Sequence, residues 1–208
     1  MNNKGQILRL LSYKNLLKHL QSLGFKKVFS DNISDTLEIS SSLVRKDFGN
    51  FGITGNRKGG YEIESILGKI DEILGKDEIQ KVIIIGAGRI GEALMSYQGF
   101  LKEGIQIIAA FDVDSKKINE DKDIPIFPMD KITKFISDNN IKICILTVPP
   151  SVAKHTIELI QNTQIGGILN FTPVKLQSTP ELTINTINIV HELENLMYVV
   201  NKQNKLED

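Results

Sequence analysis

The sequence has one cysteine, Cys144, so it can hold neither an intrachain disulfide nor a zinc site built on cysteines. No apolar run approaches the ~20 residues of a membrane-spanning helix. The N-terminus, Met1-Asn2-Asn3-Lys4, leads into no apolar stretch of about 7–15 residues with a small-residue cleavage site, so a cytoplasmic location is expected. No metal cluster is visible either, and net charge is absent at +0. What remains is a soluble, globular composition, 41% hydrophobic and 24% charged, in 208 residues, a length suited to two domains.

The zero charge conceals an asymmetry. Residues 1–61 hold ten Lys and Arg against four Asp and Glu, net +6, while the remaining 147 hold fifteen against twenty-one, net −6. A basic small domain ahead of an acidic larger one points to a polyanion partner for the first, although a solvated basic face has the same composition.

Ile7, Leu10, Leu11, Leu17, Leu20 and Leu23 recur mostly three and four apart, which predicts an amphipathic helix stopped at Gly24. A second short helix is expected with Ser30 or Asp31 as its N-cap and Ile33 and Leu37 facing inward. A third begins at one of Ser40 to Ser42 and carries Leu43, Val44, Arg45, Lys46, Asp47 and Phe48. Three short helices ending in a basic one form the helix-turn-helix layout, whose last helix enters the DNA major groove. Ser41, Ser42, Leu43, Arg45 and Lys46 are then candidate DNA contacts, with Arg45 and Lys46 the natural base or phosphate partners. After them, Phe51 to Tyr61 holds four glycines and two adjacent cations and reads as a hairpin wing, with Asn56, Arg57, Lys58 and Gly59 placed to meet phosphates or a minor groove. An ordinary solvated turn has the same composition; the order of helices before it favours the wing.

Ile63 to Leu74 predicts a further helix ending at Gly75. Lys81-Val82-Ile83-Ile84-Ile85 follows, a β-branched run typical of a strand buried on both faces, and Gly86-Ala87-Gly88-Arg89-Ile90-Gly91 comes directly after it. This is GxGxxG between a strand and a helix, the setting in which the motif binds a dinucleotide. Gly86 permits the turn, Gly88 lets the main chain approach a pyrophosphate, and Gly91 lets helix and strand pack closely. The next strand, Ile105 to Phe111, ends at Asp112, 21 positions beyond Gly91. A carboxylate there accepts hydrogen bonds from ribose hydroxyls and repels a 2′-phosphate, favouring NAD(H) over NADP(H); Asp114 is placed to share or take that role, with Val113 between them. Further strands at Ile124–Phe127, Ile141–Thr147 and Gly167–Leu169 alternate with helices, so the class is α/β with a parallel sheet. Thr147-Val148-Pro149 and Asn170-Phe171-Thr172-Pro173 should border the cofactor at the strand ends.

Ile189, Leu193, Leu196, Met197 and Val200 form an apolar stripe on a terminal helix, which either caps its own domain or packs on a second subunit. The layout expected is a winged-helix DNA-binding domain over 1–76, a Rossmann-like dinucleotide-binding domain over 77–187, and a C-terminal dimerisation helix over 188–208.

At these residues the chain resembles the Rex family of redox-sensing repressors, end to end. Val44-Arg45-Lys46-Asp47-Phe48, Phe51-Gly52 and Gly55 to Tyr61 resemble that family's recognition helix and wing; Gly86 to Gly91, Phe111 to Asp114, Leu146 to Pro149 and Gly166 to Pro173 resemble its cofactor domain. The resemblance implies a homodimer with exchanged (domain-swapped) C-terminal helices that binds a palindromic double-stranded operator and releases it when NADH replaces NAD⁺. It also implies that Tyr97 is the tyrosine that changes partner with redox state, and that Phe171 lies beside the nicotinamide. Four positions depart from the family pattern. Asn15 and Asn188 stand where an arginine and an aspartate form a redox-switch pair, and without charge that pair loses most of its electrostatic strength. Leu43 replaces a polar residue of the recognition helix, and Lys58 a wing glycine.

Two other readings compete. One is an NAD(H)-dependent oxidoreductase or a CoA- or nucleotide-binding enzyme on the same fold. No substrate domain and no acid–base partner near Thr147 supports it; His155 and His191 read as helix-surface or packed residues, and Cys144 as an inert core thiol. The other is a Rex-like DNA-binding protein that has lost redox sensing, motivated by Asn15 and Asn188.

Overall fold

The computed structural model describes residues 4–55, 59–76 and 78–204. It divides into two compact units, Met1–Glu78 and Ile79–Asp208, with the C-terminal helix belonging to the second.

The first unit runs α1 (Lys4–Ser22), β1 (Lys27–Val28), α2 (Ser30–Leu37), α3 (Ser41–Asn50), β2 (Tyr61–Glu62) and α4 (Ile63–Ile73). Leu10, Tyr13 and Leu17 of α1, Ile33 of α2, Val44 and Phe48 of α3, and Ile63, Ile66 and Ile70 of α4 make one buried cluster, with Ile7 and Leu20 partly buried against it. Leu11 and Leu23, expected on the same inner face of α1, are exposed: Leu23 lies beyond the helix end at Ser22, and Tyr13 fills the core place between Leu10 and Leu17. Phe48 sits edge-on to both Tyr13 and Tyr61, at centroid distances of 5.5 and 5.0 Å. Ser40 caps α3, its Oγ accepting from Leu43 N at 3.3 Å.

The start of α2 differs from expectation. Phe29, not Ser30 or Asp31, holds the N-cap position, and the Asn32 side chain reaches back to accept from Phe29 N at 3.1 Å. The reason is a competing partner: the Ser30 hydroxyl accepts from Arg45 Nη1 at 2.9 Å instead of capping the helix. In the wing segment, β2 pairs antiparallel with β1, Val28 opposite Tyr61. The wing tip expected at Asn56, Arg57 and Lys58 lies outside the described residues.

The second unit is a six-stranded, all-parallel sheet: β3 (Gln80–Ile85), β4 (Ile105–Asp112), β5 (Ile126–Pro128), β6 (Ile143–Leu146), β7 (Gly167–Asn170) and β8 (Thr183–Thr186). The order across the sheet is β5-β4-β3-β6-β7-β8. The order in which strands are added therefore reverses between β3 and β6, the switch point at which doubly wound sheets open a ligand crevice. Both faces are covered. Ile83 and Ile85 enter a core with Phe111, Ile132, Ile136 and Ala153, while Val82 and Ile84 enter one with Ala110, Ile126 and Ile145, explaining the unbroken β-branched run. Helices α5 (Arg89–Met95), α6 (Gly99–Lys102), α7 (Ile132–Asp138) and α8 (Pro150–Ile160) lie between strands, and α9 (Ile189–Asn204) is the last element among the described residues. Cys144 is fully buried in the sheet, and burial pushes its thiol up to about 12, so it is inert at neutral pH.

Helix α9 is the exception to packing. Leu193, Leu196 and Met197 are 55, 59 and 61% exposed, and Ile189, Val190, Tyr198 and Val200 are exposed as well. The stripe does not cap its own domain. No helix among the described residues is long and apolar enough to cross a membrane.

Candidate functional site

A cleft of about 740 Å³ opens at the carboxyl ends of β3, β4 and β6. Its floor is the turn from β3 into α5. Gly86 adopts φ +102°, and a Cβ there would meet the Thr147 carbonyl oxygen at 2.8 Å; a Cβ on Gly91 would stand 2.1 Å from the Gly86 carbonyl oxygen. Neither position admits a side chain. Gly88 is the opposite case: a Cβ there would meet nothing within 4 Å, so the space above its backbone is open on the cleft wall.

Two side chains hold this turn from either side. The Thr147 hydroxyl donates to Gly86 O at 2.6 Å and lies 3.2 Å from Ile85 O. The Asp112 carboxylate accepts from Ala87 N at 2.7 Å and Asp114 N at 2.9 Å, with Lys117 Nζ at 3.2 Å. Burial works against the Asp112 charge, but the two backbone N–H groups and Lys117 outweigh it and hold the carboxyl below the ordinary aspartate range. Protein groups alone thus hold the turn.

Of the residues expected at the cofactor site, Gly86, Gly88, Arg89, Ile90, Asp112, Val113, Asp114, Thr147, Val148 and Pro149 line the cleft together. Six others do not. Ala87 and Gly91 are buried in the turn's own packing. Tyr97 is exposed and stacks edge-on with Phe100 at 5.2 Å, and Phe171 packs against the Val82 and Ile84 face of the sheet. Asn170 is fully buried: its amide donates to Val174 O and Thr186 Oγ1, both at 3.1 Å, and its oxygen accepts from Thr172 N and Oγ1. Asn170 therefore ties β7 to β8 through Thr186, while Thr172 bonds Asn170 and holds its amide in place. Sequence reasoning missed Phe111, Lys117, Met129, Val152, His155 and Thr156, which complete the lining. His155 had a usable signal, since Val152, His155 and Thr156 are one face of the helix that starts beside Pro149.

In the first unit, Ser42, Arg45, Lys46 and Gly49 form an exposed face of α3, with Val44, Asp47 and Phe48 turned inward. Ser41 and Leu43 are half-buried beside that face. Gly49 was not anticipated there; nothing lies within 4 Å of where its Cβ would stand, so the backbone is bare on this side. Arg45 is steered by Ser30, and its Nη1 lies 3.7 Å from Asp31 Oδ1. Behind the face, Asp47 is fully buried and accepts Arg9 Nε at 2.6 Å, Arg9 Nη2 at 2.8 Å and the Tyr13 hydroxyl at 2.8 Å. Burial opposes its charge, yet the hydrogen bonds from Arg9 and Tyr13 prevail and lower its pKa; the Tyr13 hydroxyl is driven up by burial and by the same carboxylate. Lys14 Nζ donates to Asp71 Oδ1 at 2.6 Å and joins α1 to α4.

The pair expected to respond to redox state is placed as follows. Asn15 is exposed on α1. Asn188 caps α9, its Oδ1 accepting from Val190 N at 3.1 Å and His191 N at 3.3 Å.

Two family models match, one described as a putative DNA-binding protein N-terminus over residues 5–49 and one as a CoA binding domain over residues 77–174. The chain is 32% identical to redox-sensing transcriptional repressor Rex 1 of Enterococcus faecalis, over 99% of this chain and 95% of that protein. It is 34% identical to redox-sensing transcriptional repressor Rex of Listeria innocua, over 91% and 89%. Among solved structures, RSP in complex with β-NAD⁺ and operator DNA superposes with a TM-score of 0.92 at 28% identity, covering 100% of this chain and 96% of that one. RSP in complex with β-NADH gives 0.88 at the same identity, covering 100% and 98%. With both units, their order and nearly the whole length shared, the chain belongs to the Rex family of redox-sensing transcriptional repressors.

Proposed function

We propose that this chain represses transcription as a homodimer, binding a palindromic operator through α3 and the wing and releasing it when NADH replaces NAD⁺ in the β3–β6 cleft, in the cytoplasm. The observation that carries the reading is the glycine turn at Gly86–Gly91, held by Thr147 and Asp112, in the same chain as an α3 that buries Val44 and Phe48 and displays Ser42, Arg45 and Lys46.

The cleft fits an adenine dinucleotide. The open backbone at Gly88 takes the pyrophosphate, and Arg89 at the rim supplies a countercharge. Ile90, Val113 and Met129 offer apolar surface to the base, and Thr147, Val148 and Pro149 line the opposite wall. Arg45 and Lys46, with Arg57 and Lys58, supply the phosphate and base contacts. The exposed α9 face packs on a second copy, which places two α3 helices for two half-sites. A bound nicotinamide cofactor would report redox state; it weakens operator binding only to the extent that its reduced form binds the operator-incompetent state more tightly.

A second reading is supported by Asn188, whose oxygen is committed to capping α9, and by the uncharged Asn15: DNA and dinucleotide binding without a redox response. Titrating a palindromic duplex at fixed salt, with NADH or NAD⁺ saturating, separates the two. Weaker binding with NADH supports the proposal, and equal affinities favour the second reading.

A further inference from the structure

We infer that Asp114, not Asp112, is the carboxylate that reads the adenosine ribose, and that Asp112 is a positioning residue that clamps the glycine turn. The inference rests on the dinucleotide reading above.

The end of the second strand of the unit is where a ribose acid is expected, and Asp112 stands there. Its carboxylate is already occupied. Of the roughly four acceptor positions a carboxylate offers, three are engaged by Ala87 N, Asp114 N and Lys117 Nζ, and the residue is only 8% exposed. A vicinal diol needs two outward acceptors, and Asp112 does not present them. Releasing them would strip Ala87 of its partner and loosen the turn that the pyrophosphate needs.

Asp114 meets the requirement two residues later. It lines the same cleft and is exposed, and its Oδ1 accepts from the backbone N of Lys116 at 3.0 Å, which fixes the loop while leaving the side chain at the rim. Val113, between the two aspartates, is 85% exposed on the cleft wall, an apolar surface suited to an adenine ring beside that ribose. Selectivity follows from charge. Lys117 offsets Asp112, so Asp114 is the carboxylate left to repel a 2′-phosphate, and Lys116 and Lys117 stand next in the chain.

The test measures NADH and NADPH dissociation constants for the full-length wild type, Asp114→Ala and Asp112→Asn, with the melting temperature of each. Asp114→Ala is expected to weaken NADH by about tenfold or more and to tighten NADPH, collapsing the preference, while the loss of the exposed bond to Lys116 N lowers the melting temperature less than Asp112→Asn does. Asp112→Asn is expected to melt lower and to weaken both dinucleotides by similar factors, keeping the preference. A preference that survives Asp114→Ala, or one that Asp112→Asn abolishes at unchanged melting temperature, overturns the assignment. If Asp112→Asn does not fold, the Asp114→Ala preference alone decides. A wild type that binds neither dinucleotide overturns the reading beneath, and this assignment with it.

Discussion

Arg9 in α1 grips Asp47 in α3 through two parallel hydrogen bonds, Nε at 2.6 Å and Nη2 at 2.8 Å, behind the face that carries Arg45 and Lys46. Aspartate in a string of charged residues normally faces water. Here it is turned inward, and the fork geometry fixes the rotation of α3 as well as its attachment. Removing Asp47 strands the Tyr13 hydroxyl and the guanidinium, so Asp47→Ala should cost about 3 kcal/mol of stability, measured by denaturant unfolding. Operator affinity should fall with it. A change near zero would mean that the pair contributes nothing net.

The same cluster sets a pH window. The Asp47 pKa is depressed in the folded chain, so its contribution is complete above the unfolded value of roughly 3.9 and is lost as pH falls through the lower folded value. Tyr13 is raised, so its contribution is complete below roughly 10 and drains away as pH rises above that. Melting temperature against pH should therefore plateau between these limits and drop at both ends. Tyr13→Phe should remove the cluster's alkaline arm.

Gly91 and Gly88 should separate folding from binding. Gly91→Ala drives a Cβ into the Gly86 carbonyl and should lower the melting temperature markedly. Gly88→Ala meets no protein atom, so it should melt like wild type while losing most dinucleotide affinity, because its methyl group fills the space the ligand needs. Calorimetric titration of both variants checks the contrast.

The bare face of α9 predicts its own cover. Leu193→Asp combined with Leu196→Asp should yield a folded monomer in sedimentation experiments, with operator affinity reduced because two half-sites are no longer engaged together.

How much of this was legible depends on the range of the interactions. The turn at Gly86 was readable because strand, glycines and helix are contiguous, and the inner face of α2 and most of that of α1 because the 3.6-residue period is local. Asp47 was not: its partner lies 38 residues away, and Arg-Lys-Asp reads as a solvated run. Asn170 sits at a strand end, where a ligand is expected, yet with Thr172 fixing its amide it serves β8, which went unrecognised because Thr183-Ile184-Asn185-Thr186 is a largely exposed edge strand without a buried apolar pattern. Spacing put Asp112 at the end of β4 and on the cleft, but it says nothing about which of its oxygens are free.

If operator and reduced cofactor compete through one protein, linkage makes that competition directly measurable. The NADH dissociation constant should be determined with and without saturating operator duplex, alongside the operator constant with and without NADH. The account predicts that both rise by the same factor. An NADH affinity that ignores the operator would contradict it.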